Sequence, residues 1–223
     1  MQQSQKNSES KIAMFQEAMR AGRKALGTKP FKEDVGEFWS MLETRPFMRA
    51  LFGLAYELER AGKVDEAILQ YQEVLRLNKG DNQGARYQLV SLLIASERLD
   101  EAMKLVNKYK DDVGPHITYN RALLYFKYFN DAPKTKHALD EAIRWNPHVV
   151  SFLLETKFNR TRRVPDSIIV GGEDEAYLYA RECRKLWHKT DGIMDWLVHL
   201  LLSSHIELNK LTIAQWRGSS EKS

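Results

Sequence analysis

Two stretches of this chain carry nearly the same text: Gly62-Lys63-Val64-Asp65-Glu66-Ala67-Ile68 and Ser96-Glu97-Arg98-Leu99-Asp100-Glu101-Ala102-Met103. Their alanines, Ala67 and Ala102, lie 35 residues apart. A weaker third copy pairs Ala142-Ile143-Arg144-Trp145-Asn146-Pro147 with Val74-Leu75-Arg76-Leu77-Asn78-Lys79. Before the first alanine, Leu51, Leu54, Ala55 and Leu58 recur at spacings of 3 and 4; after it come Tyr71 and Val74, so each set occupies one face of a helix. Ala55 and Ala67 are small where two such helices cross, and Tyr71 fills the space beyond. Arg60-Ala61-Gly62-Lys63 is the connecting turn, with Gly62 placed for a left-handed cap. Asp65 and Glu66 then open a helix at its positive end. The second unit starts at Gln83 and repeats the pattern with Val90, Leu93, Ala102, Val106 and Tyr109. The third starts near His116, carries Leu123, Leu139, Ala142 and Pro147, and needs Thr135 or a neighbour as its small residue.

Working outward, residues 1–9 read as a disordered N-terminus. Residues 10–46 read as two N-terminal capping helices: Ile12 to Leu26, and Asp34 to Leu42 on the spacing of Val35, Phe38, Trp39 and Leu42. Thr44 is expected to cap the first repeat helix, with Pro46 in its first turn. Residues 47–148 hold three helix-turn-helix repeats. Residues 149–208 hold a short helix, a loop from Phe158 to Gly172 and two C-terminal capping helices, opened by Glu173-Asp174-Glu175 and by Asp191-Gly192. Residues 209–223, with Trp216, read as a tail. The fold class is therefore all-α, an α-solenoid of about three repeats with flanking helices.

The composition agrees. The 223 residues include 12 Gly and 6 Pro, too few for a chain of hairpins, and 43% are hydrophobic and 29% charged, a globular balance. The single cysteine, Cys183, excludes a disulfide framework and a multi-cysteine metal site. No apolar run is long enough for a membrane span, and the polar start MQQSQKNSESK has no signal-peptide core, so a cytoplasmic or nuclear setting is expected.

A period near 34 with short helix pairs resembles the tetratricopeptide repeat (TPR). Glu43-Thr44-Arg45-Pro46-Phe47-Met48-Arg49-Ala50, Gly53-Leu54-Ala55, Arg76-Leu77-Asn78 and Asp81-Asn82-Gln83-Gly84-Ala85-Arg86-Tyr87 further resemble the suppressor-of-tumorigenicity-seven-like subfamily and related bacterial and fungal TPR proteins. Trp145-Asn146-Pro147-His148-Val149, Val164-Pro165-Asp166, Glu173-Asp174-Glu175-Ala176 and Trp196-Leu197 follow in the order that resemblance implies, over roughly residues 36–197. Lys79 departs from it, standing where the family usually has Pro. The membrane segment of the suppressor-type proteins and the zinc-finger cysteines of some fungal relatives are absent from this sequence.

The resemblance implies a non-enzymatic adaptor or scaffold that binds a partner peptide or helix, with an acidic segment favoured, on a concave groove lined by the first helix of each repeat. The groove positions are Arg49, Phe52, Tyr56 and Arg60, then Tyr87, then Arg121, Leu124 and Tyr128; Ser91, Ile94 and Asn120 belong to the same projection. A polar helix-start cluster joins Glu43, Arg45, Asp81, Asn82 and Arg86, read first as caps and ion pairs. Lys157, Arg160, Arg162 and Arg163 form a basic patch that suits an acidic partner or, as the alternative, a subunit of a larger assembly touching nucleic acid. At the positions where chaperone-tail receptors grip a carboxylate, this chain has Phe52, Tyr56, Gln88, Ile117 and Arg121, of which only Arg121 agrees. No phosphate loop, metal-protease or nucleophile-elbow motif occurs, so neither a cofactor nor a metal is expected. His199 and His205 fall on different helix faces, and Cys183 reads as packing.

Overall fold

The computed structural model describes residues 2–164 and 167–203, and among them it contains eleven α-helices and no strand. The fold is all-α and TPR-like, as the repeat spacing requires. The chain divides into two compact units, Met1–Ser96 and Glu97–Ser223, with the division in the turn of the second repeat. The Trp216 tail and His205 lie outside the described residues.

The first unit contains α1 (Gln2–Leu26), α2 (Pro30–Glu33), a single 3-10 turn (Leu42–Thr44), α3 (Arg45–Arg60), α4 (Val64–Leu77) and α5 (Ala85–Ala95). Helix α3 packs on both α1 and α4, and α4 packs on α5. Leu51, Ala55, Ala67, Ile68, Tyr71 and Val74 are fully buried, so both alanines sit at the close approach of α3 and α4. Burying each large apolar side chain there contributes about 1.5–3 kcal/mol. The turn forms as its residues dictate: Gly62 has φ +74, its N–H reaches the Glu59 carbonyl at 2.9 Å, and Lys63 N–H reaches Leu58 at 2.9 Å. This is the double-bonded helix stop that a left-handed glycine permits.

Two expectations for the N-terminal region are corrected. Residues from Gln2 onward are helical rather than disordered, because Ser8 and Ile12 are buried and residues 2–12 contain no Gly or Pro to interrupt the helix. Asp34 to Leu42 is not a helix. Gly36 takes φ +106, and the segment spends its backbone on the end of α4: Gly36 N–H and Phe38 N–H both donate to the Leu77 carbonyl, at 3.2 and 3.0 Å, and Lys79 N–H donates to Gly36. Phe38, fully buried, inserts against Phe31 and Phe47. Thr44 precedes α3 as expected, but its hydroxyl donates to the Phe38 and Met41 carbonyls and so ties down this strap, not the helix start.

The second unit contains α6 (Leu99–Lys108), α7 (Pro115–Phe129), α8 (Pro133–Trp145), α9 (His148–Leu154), α10 (Glu173–His188) and α11 (Ile193–Ser203). Helix α7 packs against α6, α8 and α10, while α10 also packs on α9 and α11. Thr135 and Ala138 are both buried in α8 and supply the small side chains missing from the sequence frame of the third repeat. The Phe158 to Gly172 connection is irregular over its described residues, as the glycine pair predicts.

Candidate interaction surface

In the first unit the buried side of α3 leaves one outward stripe. Arg49 is exposed, Tyr56 is 44% exposed, and Arg60 lies over the Tyr56 ring at 5.9 Å. Phe52 is half-buried, its ring edge-on to Tyr71 at 5.7 Å. Helix α1 runs along the neighbouring flank: a Cβ on Gly53 would meet the Phe15 ring at 2.5 Å, and Lys11 pairs with the buried Glu57 carboxylate at 3.3 Å. The stripe is therefore bordered by α1 and not covered by it.

The residues that aim this stripe were only partly legible. Trp39, in the strap before α3, has the Arg45 and Arg49 guanidinium groups 5.5 and 5.8 Å from its ring, and its carbonyl accepts from Arg45 Nε at 2.8 Å. The sequence offered Trp39 as a helical apolar position, and no local pattern marks it as a platform for arginines.

At the start of α5 the Asp81 carboxylate is fully buried and accepts from Ala85 N–H at 2.7 Å, Arg86 N–H at 3.0 Å and the Arg86 guanidinium at 2.9 Å. Arg86 also donates to the Tyr87 hydroxyl at 2.7 Å and lies over that ring at 4.2 Å. Asp81 thus satisfies two first-turn N–H groups and fixes Arg86 and Tyr87 in one arrangement. Asp81 adopts φ +46, a left-handed conformation that Asp tolerates. Gln83, beside it, donates to the Met48 carbonyl at 3.2 Å, joining the starts of α5 and α3 one repeat apart. Asn82 and Glu43 of the same expected cluster are exposed.

The groove reading fails on α7. Leu124 is fully buried, and Arg121 is 9% exposed, with its guanidinium donating to the Lys110 carbonyl at 2.9 Å and to Glu141 at 3.3 Å. Asn120 is also buried and accepts from the Tyr179 hydroxyl at 2.9 Å. Asn120 is thus held by α10, which packs on α7, whereas Arg121 is held by the α6–α7 turn and by α8. The Trp187 indole donates to Tyr179 at 2.8 Å, extending the chain to Asn120. At the other end of the contact His116 meets Glu182 at 2.9 Å. Burial disfavours the charged His116 ring, but the adjacent Cys183 and Glu182 outweigh it and hold the pKa up at about 10. Tyr128 alone of the three stays exposed, bonded to Asp100.

The basic loop is not one patch. Arg162 is spent on Glu173 and Asp174 at 3.1 and 3.0 Å, whereas Arg160 donates to the Arg181 carbonyl at 3.2 Å; Lys157 and Arg163 are exposed. Among the described residues no group of three His, Cys, Asp or Glu is placed to hold a metal ion, and no helix is long and apolar enough to cross a membrane.

A family model described as tetratricopeptide repeat matches residues 58–123, from the end of α3 to the middle of α7. The match supports a tetratricopeptide-repeat protein, a class whose repeats generally mediate protein–protein interaction. No curated protein and no solved structure matches the chain.

Proposed function

We propose that this chain is a non-enzymatic adaptor that holds a partner peptide or helix on the outward stripe of α3 and the adjoining start of α5. The carrying observation is the exposed Tyr56 ring, flanked by Arg60 and about two helical turns from the exposed Arg49. Tyrosine supplies large contact area at low entropy cost, arginine adds charge and forked donors, and both lead among interface hot spots. Cation and ring together favour an extended acidic segment with an apolar or aromatic side chain. Tyr87, presented by Arg86 and Asp81, continues that surface within the same unit. Kinship with the suppressor-of-tumorigenicity-seven-like proteins is a finer proposal, supported by the Glu43–Ala50 and Trp145–Val149 strings. A cytoplasmic or nuclear setting is likewise proposed.

The test compares proteins recovered from extract by the wild type and by an Arg49→Ala/Tyr56→Ala variant. Both side chains are exposed, so the melting temperature should stay within about 2 °C. The expected result is a partner held by the wild type and lost by the variant. Recovery of the same proteins by both would overturn the α3 surface.

A further inference from the structure

The second unit contains a cavity of about 190 Å³ that the adaptor reading does not use, lined by Phe158, Arg160, Ala180, Arg181, Arg184 and Lys185. Four of its six lining residues are cations. Three of these are on α10 within five positions, so they share one helix face, and the loop supplies the fourth. Sequence reading grouped Arg160 with its loop neighbours; folding groups it with α10.

The guanidinium groups are positioned in advance of any ligand. Arg184 donates from Nε to the Phe152 carbonyl at 3.3 Å and from Nη2 to the Glu155 carbonyl at 2.6 Å. Its guanidinium carbon is 5.8 Å from the Phe158 ring centre, and that of Arg181 is 5.9 Å from Tyr177. Phe158 and Tyr177 are themselves stacked, with ring centres 5.5 Å apart and planes 23° apart. Acidic relief is limited: Glu182 is 3.7 Å from Arg181 and is engaged more closely by His116, and Glu155 lies near Arg184 alone. Burial lowers the Arg184 pKa; the Glu155 carboxylate opposes this and Arg160, more weakly, adds to it. Like charges gathered around a concave space favour an anion in that space.

We propose that this cavity binds a single phosphomonoester dianion. Forked guanidinium donors on several sides match a tetrahedral group with three acceptor oxygens better than a planar carboxylate, which one arginine satisfies. The space is ample for one phosphoryl group and the carbon that carries it. Its one aromatic wall is already stacked on Tyr177, so successive bases find no platform. Arg162, a second loop arginine, is neutralised by Glu173 and Asp174 and adds no further free cation for a polyphosphate backbone. This site is in the second unit and does not depend on the α3 surface.

The probe is methyl phosphate, titrated calorimetrically into the full chain at constant ionic strength and about pH 7.5, where the second ionisation (near 6) is complete. Saturable binding is expected, weakened about tenfold or more by Arg181→Gln/Lys185→Gln at unchanged melting temperature, and unaffected by Lys157→Gln/Arg163→Gln. Affinity should also fall as pH drops through about 6. The exposed Lys185→Gln alone serves if the double variant does not fold, with a smaller loss expected. A phosphoserine peptide binding more tightly than methyl phosphate, with its unphosphorylated form silent, places the group on a protein; equal affinity places it on a small molecule. Both uphold the site. Absence of saturable binding, affinity unchanged by the α10 substitutions, or RNA bound through these residues while methyl phosphate is silent would each overturn it.

Discussion

Helices α3 and α7 begin the first and third repeats and have the same job in the sequence pattern, yet they meet different fates. On α3 the stripe Arg49, Tyr56 and Arg60 faces outward, and the long α1 lies beside it. On α7 the corresponding Asn120, Arg121 and Leu124 are inside the unit, Asn120 bonded to Tyr179 of α10 and Arg121 to the Lys110 carbonyl and to Glu141 of α8. A repeat helix therefore presents its inner face only where no other element claims it. Neighbouring residues do not decide this. It depends on which other elements of the unit pack on the helix, here the α6–α7 turn, α8 and α10.

The sharpest way to break the comparison is to remove the lock on α7. Trp187→Ala empties a fully buried indole position and frees the Tyr179 hydroxyl, and should cost about 3–5 kcal/mol in urea-induced unfolding. A loss under 1 kcal/mol would mean that α10 does not close this unit. A smaller effect is expected where α5 begins in the first unit. Asp81→Ala deletes three charge-assisted bonds from a buried carboxylate and strains the left-handed backbone, for about 2–3 kcal/mol, whereas Asp81→Asn keeps the turn and loses about half as much. Equal losses for the two would remove charge from the account of this cap.

The smallest effect tests the α7–α10 contact by pH. The folded pKa of His116 lies above the ordinary imidazole value, held there by Cys183 and then Glu182, so their contact with the charged ring contributes fully below about pH 6.5 and is lost as pH rises through about 10. The expected loss is about 1–2 kcal/mol, the worth of one charge-assisted bond at a partly exposed acid. It is read as the decline in urea midpoint from about pH 6 to about pH 10, with Glu182→Gln reducing that decline. A rise with pH would contradict the charged pair.

What the sequence disclosed follows the range of the interactions involved. Ala55, Ala67, Ala102 and Gly62 were legible because a helix crossing and a left-handed cap each impose a residue type locally. Asp81 was legible as a cap by its place ahead of a helix, although its hold on Arg86 and Tyr87 was not. Phe38 and Trp39 misled, since their spacing suits a helix while Gly36 and the α4 end draw the segment into a strap. The burial of Arg121 and Leu124, and the gathering of Arg160 with Arg181, Arg184 and Lys185, come from packing between distant segments. No window of sequence contains them.

The seclusion of Cys183 has a practical corollary. The chain's single thiol is fully buried in α10 and packs beside His116, away from any aqueous reagent while the fold holds. An Arg49→Cys substitution would accordingly install one addressable sulfur in an otherwise inert background, so that a fluorophore or photo-crosslinker attached there reports on the α3 stripe without first engineering away a native competitor.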